Sequence, residues 1–149
     1  MRVMGLDYGE KTVGVALSDE LLITAQPYET VVRDNPRQLR KTLQRLEAII
    51  AAENVEKIVL GYPKNMNNTE GERAKATTEF KEMLERRTLL PVFLMDERLT
   101  TVEADRILEE TGVAHSARKA EIDKMAAAII LQTWLDLQKN RSEQSEKIE

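Results

Sequence analysis

The chain contains no cysteine and a single histidine, His115. Without cysteine there is no disulfide, no thiolate metal site and no cysteine nucleophile. A zinc centre draws on several His or Cys ligands and a serine hydrolase needs an imidazole beside its nucleophile, so both chemistries would hang on His115 alone. That residue is expected in a loop or on the surface. Any metal would sit on oxygen ligands, which suits Mg2+ or Mn2+. Long apolar runs are missing too: none approaches the roughly 18 residues of a membrane span, and the N-terminus lacks a basic region leading into an apolar signal core. The expectation is a cytoplasmic protein with no membrane partner. Nor is positive charge in excess, since 22 Lys and Arg face 26 Asp and Glu for a net charge of -4. This argues against a protein that coats nucleic acid non-specifically. It leaves room for an enzyme whose clustered acids coexist with a local basic surface.

What is present fits one domain. With 149 residues, 42% of them apolar and 32% charged, the chain is long enough for one real core and too short for two comfortable ones. Residues 2 to 7 and 12 to 18 are β-prone runs joined by Tyr8-Gly9-Glu10-Lys11, predicted as a hairpin turn in which Gly9 supplies unusual dihedrals. A third strand is expected over Ile23 to Val32, with Pro27 marking it as an edge. Asn35-Pro36 with Gln38 predicts a helix start, and Leu39, Leu43, Leu46 and Ile50 give that helix one apolar face. A strand over 57 to 61 follows. Thr69 and Glu72 read as a capping box, before a helix whose apolar face is Ala76, Phe80, Met83 and Leu84. Pro91 to Met95 is a further strand, and Thr100 with Glu103 opens a helix stopping near Gly112. The last helix is expected to start at Ser116 and reach about Lys139, with Asn140 to Glu149 a polar, disordered tail. Phe80 and Trp134 are assigned to the core. The order predicts an α/β domain over residues 1 to 139: a mixed five-stranded sheet, meander first and parallel crossovers after, flanked by helices.

Acids stand at three places where acids are out of place. Asp7 closes the apolar run Val3-Met4-Gly5-Leu6, where an isolated charge would cost several kcal/mol. Asp96 and Glu97 close the strand beginning at Pro91. Asp123 heads a stripe of Ala126, Ala127, Ile130 and Trp134, and the alanines at 126 to 128 let that helix approach the sheet closely. If the strands at 2 to 7, 57 to 61 and 91 to 95 are parallel, their carboxyl ends share the edge where open α/β sheets bind ligands. Each acid has an ordinary reading: Asp7 as a turn cap, Asp96 as a helix start, Asp123 as a favourable charge at a helix N-terminus. Three together, with no histidine as base, point to a divalent cation as the compensating charge and to phosphodiester chemistry. Around them Lys11, Lys64, Arg73, Arg98 and Lys124 are candidate phosphate contacts, with Lys11 and Arg98 adjoining the acids. The polar stretch 64 to 73 leads into a helix N-terminus suited to an anion.

The blocks "GLDYGEKTVGVALSD", "VLGYPKNMNNTEGERA", "DERLTT" and "EIDKMAAAIILQTWL" resemble, in order and spacing over about residues 2 to 138, the signature blocks of the YqgF family, also called RuvX-like. The resemblance implies a fold similar to ribonuclease H and the RuvC resolvase. The family has been described as Holliday junction resolvases and as nucleases that process the 5′ end of pre-16S ribosomal RNA. Carried onto this sequence, its acidic positions fall on Asp7, Glu97 and Asp123 as catalytic metal ligands, with Asp96 an additional candidate ligand or an orienter of Arg98. Tyr62 stands where the family more often has leucine and Asn68 where glycine is usual. The strand ending at Gly61 lacks the acid that RuvC and ribonuclease H carry there. The implied partners are pre-rRNA or branched DNA, with a ribosomal particle as a further candidate, for a monomer or homodimer.

Two other functions fit parts of the sequence. Asp-x-Gly before a strand also resembles the phosphate loop of the actin and sugar-kinase superfamily, although those proteins close two such domains around ATP. A non-catalytic adaptor binding RNA or a transcription or ribosome factor would suit the acidic net charge.

Overall fold

The computed structural model describes residues 1 to 9, 11 to 33, 35, 39 to 62, 71 to 96 and 115 to 148, with side chains from 121 to 142 in the last segment. Five strands, β1 (Arg2–Tyr8), β2 (Thr12–Ser18), β3 (Ala25–Val32), β4 (Val55–Tyr62) and β5 (Val92–Asp96), form one sheet in the order β3-β2-β1-β4-β5. β1 pairs antiparallel with β2 and β2 with β3, whereas β1–β4 and β4–β5 are parallel. The predicted mixed sheet is therefore observed, meander first and crossovers second. β3 is an edge strand, and Pro27 sits where the β2–β3 register shifts opposite Ala16, a place that needs no ladder N–H.

The helices form two layers. α1 (Leu39–Glu53) and α2 (Glu72–Thr88) cover one face, where Leu43, Leu46 and Ile49 meet Phe80, Leu84 and the even-numbered Met4 and Leu6 of β1. Among the described helices, α3 (His115–Ile148) is the one that covers the other face, and it touches all five strands. Against it lie Val3, Ala16 and Val59, and α3 buries Ala127, Ala128, Ile130, Leu131 and Leu135 there. Burying each of the large aliphatic side chains contributes about 1.5–3 kcal/mol. The stripe of alanines lets the helix lie unusually low. A Cβ built on Gly5 would meet Leu131 Cβ at 2.7 Å and the Ala127 carbonyl at 2.8 Å.

Several local expectations are corrected. Gly9 has no positive φ; its Cβ position is crowded instead, 3.1 Å from the Thr12 carbonyl that its own N–H bonds at 2.8 Å. α2 is capped by Gly71 without a side-chain hydrogen bond, so Glu72 is its first residue rather than the far end of a capping box with Thr69, which lies outside the described residues. Buried positions on α2 are Ala74, Thr77, Phe80 and Leu84, with Ala76 and Met83 half-buried. α3 begins at His115, one residue before the expected Ser116 cap, and continues through Asn140 to Ile148 where a disordered tail was expected. No Gly or Pro interrupts the chain after Gly112, so nothing there breaks a helix. Phe80 is core, while Trp134 is half-buried against Phe93 with ring centroids 5.5 Å apart. Pro36, Gln38 and the helix expected between Thr100 and Gly112 lie outside the described residues.

Candidate active site

The pleat divides the strand residues between the faces. Val3, Gly5 and Asp7 of β1 turn towards α3, as do Thr12, Gly14 and Ala16 of β2, because Asp7 pairs directly with Gly14 and Gly5 with Ala16. Asp7 is thus the last residue of β1 on the α3 face, at the carboxyl end of the parallel strands. Asp7 and Asp123 are both half-buried.

Gly14 brings them together. A Cβ on Gly14 would lie 1.9 Å from the carbonyl oxygen of Asp123 and 2.3 Å from its carbonyl carbon. Only a glycine lets the α3 backbone rest directly on β2, and the residue resting there is Asp123. Two positions along β2, the Thr12 hydroxyl donates to Asp123 Oδ2 at 2.6 Å. A hydrogen bond to an ionised carboxylate is among the stronger ones, and it fixes the rotamer of Asp123. Asp7 of β1 and Asp123 of α3 therefore both adjoin the same glycine.

The remaining candidates are placed less uniformly. In β5, Phe93 and Met95 take the α3 face, where they meet Trp134 and the apolar cluster, so the alternation gives Asp96 the face of Val92, away from α3. Asp96 pairs with Tyr62 at the end of β4 and is half-buried. Glu97, Arg98 and Lys64 lie outside the described residues. Lys11 is exposed on the β1–β2 turn, Arg73 is exposed in the first turn of α2, and Lys124 is ion-paired with Glu121 at 2.9 Å. Among the described residues no three potential ligands gather into a metal-binding group. Asp19 belongs to different chemistry, since it sits beyond β2 at the opposite end of the sheet. The Thr24 and Ile23 amides donate to its carboxylate at 3.1 and 2.7 Å and hold it below the usual aspartate range.

Thr12, Gly14 and Arg33, which braces the β1–β2 turn, were not singled out from the sequence as functional. A signal existed for Gly14, because glycine inside a strand marks a close backbone approach.

Residues 1–137 match the family described as RuvX: Holliday junction resolvase. The chain belongs to the RuvX family. A relative from Agathobacter rectalis is 61% identical over 140 residues, covering 94% of this chain and 98% of its own, and bears the name "Putative pre-16S rRNA nuclease". A protein of the same name from Desulfitobacterium hafniense is 48% identical over 147 residues, covering 99% of this chain and 100% of its own. Among solved structures, Thermus thermophilus RuvC in complex with a Holliday junction substrate superposes with a TM-score of 0.58 at 14% identity, over 94% of this RuvX-family chain and 96% of the RuvC chain. At that identity the likeness is one of fold. It confirms the ribonuclease H-like architecture. No helix among the described residues is long and apolar enough to cross a membrane.

Proposed function

We propose that this RuvX-family protein is a divalent-metal-dependent endonuclease that cleaves phosphodiester bonds of structured nucleic acid, acting in 5′-end processing of pre-16S rRNA in the cytoplasm. The observation that carries the reading is the convergence of Asp7 and Asp123 on Gly14, with Thr12 holding Asp123 at 2.6 Å. The names of the relatives at 61% and 48% identity support the choice of substrate.

The donors fit a hard cation: carboxylate oxygens set by a strand and a helix, in a chain without cysteine. Asp7 and Asp123 would hold it, joined by Glu97, which continues in sequence the odd-numbered positions 93 and 95 of β5. When bound, such an ion supplies neutralisation of phosphate charge and activation of water at neutral pH. The chain's own residues do the rest. β1 and α3 hold the two carboxylates before substrate arrives, so no reorganisation is needed during reaction. Thr12 holds Asp123 in one rotamer through its 2.6 Å hydrogen bond. Lys11 and Arg73, exposed on the β1–β2 turn and α2, are the described candidates to meet phosphates beyond the scissile one, with Lys64 and Arg98 beside them in the proposal. Lys124 contributes less, because Glu121 offsets its charge.

A second reading is resolution of four-way DNA junctions, favoured by the family's description. Purified protein is to be given a labelled precursor rRNA 5′ fragment, free and within a ribosomal particle, and a four-way DNA junction, each with Mg2+ or with chelator. Cleavage of the rRNA that chelator abolishes and Asp7→Asn lowers by about 100-fold or more supports the first reading. Cleavage of the junction alone supports the second. Cellular rRNA maturation undisturbed in a triple variant of Asp7, Glu97 and Asp123 would establish an adaptor instead.

A further inference from the structure

Arg33 follows β3 and is only 5% exposed, which makes it the most deeply buried cation among the described residues. A guanidinium in such a place loses water that hydrophobic filling would not have to lose, so its contacts show what it is for. All of the contacts described fall on one short segment. Its backbone N–H donates to the Lys11 carbonyl at 2.7 Å, and Nη2 donates to the Gly9 carbonyl at 2.6 Å. Nη1 reaches the Tyr8 hydroxyl at 3.4 Å, and Cζ stands 5.1 Å from the centroid of the Tyr8 ring. That ring is itself stacked on Phe80 at 4.1 Å. Tyr8 is the last residue of β1, and Gly9 and Lys11 lie between β1 and β2. Asp7 precedes them and Thr12 follows.

We propose that Arg33 is a positioning residue for the nuclease reaction, clamping the β1–β2 turn so that Asp7 and the Thr12–Asp123 pair keep their relative placement. The inference rests on the nuclease reading above. Its physical content is separable from that reading. The guanidinium pins the carbonyl of Gly9 on one side and the Tyr8 ring on the other, while the backbone bond to Lys11 ties the far end of the turn to β3. A turn freed of these contacts would let Asp7 shift against Thr12. Misplacement by about 1 Å is enough to cost roughly 100-fold in rate.

The test compares the wild type with Arg33→Met, which keeps the stem, and Arg33→Lys, which keeps a cation able to donate to Gly9. Cleavage of the precursor rRNA fragment is followed well below each variant's Tm, alongside hydrogen exchange at the Gly9 amide. For Arg33→Met the expected result is a kcat lower by about 10- to 100-fold with KM within twofold, and Gly9 protection lower by about tenfold while Met4 and Leu6 amides are unchanged. Arg33→Lys should recover most of the loss. An unchanged kcat overturns the proposal, as does a raised KM with kcat retained, which would make Arg33 a phosphate contact. Protection lost equally at Gly9, Met4 and Leu6 overturns it in favour of a general packing role. If the wild type cleaves nothing, the nuclease reading fails, and the exchange pattern still decides whether Arg33 clamps the turn.

Discussion

Gly14→Ala is the smallest change that should dismantle the site. The added methyl carbon would stand 1.9 Å from the Asp123 carbonyl oxygen and 3.0 Å from the Lys124 nitrogen, all backbone that no rotamer change can remove. Ordinary contact begins near 3.4 Å, so α3 must retreat from β2 by about 1.5 Å at this point. Overpacking of this kind typically costs about 1–3 kcal/mol, and a backbone collision belongs at the upper end. At 2–4 °C per kcal/mol for a chain of this size, Tm should fall by roughly 6–12 °C. The same retreat pulls Asp123 from the Thr12 hydroxyl and from Asp7, so kcat should drop by about 100-fold even where the variant is folded. Thermal unfolding and single-turnover cleavage read the two effects separately. Gly9→Ala is the control, because its Cβ would meet the Thr12 carbonyl at a milder 3.1 Å and its φ is ordinary; it should cost less than about 1 kcal/mol. A Gly14→Ala protein with wild-type Tm and rate would refute the close seating of α3 on β2.

Three further outcomes follow from the same geometry. Thr12→Val keeps a β-branched side chain but removes the donor to Asp123; kcat should fall by about tenfold and Tm by a few degrees, and an unchanged kcat would show that Asp123 needs no orientation. Asp7→Asn should abolish cleavage while leaving Tm equal or slightly higher, because it removes one of the two acids adjoining Gly14; a large drop in Tm would mean Asp7 is structural. Glu29 is held below the usual glutamate range chiefly by its hydrogen bonds from Arg45, at 2.8 and 2.5 Å. The depressed value means that the pair stabilises the fold above the unfolded glutamate pKa of about 4.3 and loses that contribution as pH falls through the lower, folded value. Both groups are partly exposed, so Arg45→Ala should cost at most about 1 kcal/mol at pH 7 and nothing near pH 2; a gap that widens on acidification would reverse the sign.

The mixed sheet, meander first and parallel crossovers after, could be read because alternation and crossover rules leave few choices for runs like Val3 to Leu6 and Ile58 to Leu60, each buried on both sides. Pro27 announced an edge strand for the same kind of reason. Helix ends were less legible. The α2 start is set by Gly71, which has no capping side chain to advertise it, and the α3 end is set by an absence of breakers in a polar stretch whose composition alone suggested fraying. At the site, Asp7 and Asp123 stood out because a carboxylate on an apolar run demands compensation. Thr12 did not, since a threonine at the start of a strand is ordinary until a residue 111 positions away is known to face it. Arg33 was hidden likewise: a lone arginine after a strand reads as surface until its burial is seen.

That separation of 111 positions between Thr12 and Asp123 also has a consequence in time. Chains emerge from the ribosome at about 5–20 residues per second, so Asp123 follows Thr12 by roughly 6 to 22 s. Through that interval the sheet can begin to form, but half of the proposed cutting centre does not yet exist. Because Asp123 meets Thr12 only when α3 is seated on β2, the nascent chain is synthesised without the proposed centre beside the very class of RNA it is proposed to cut, and gains it only when its last helix settles.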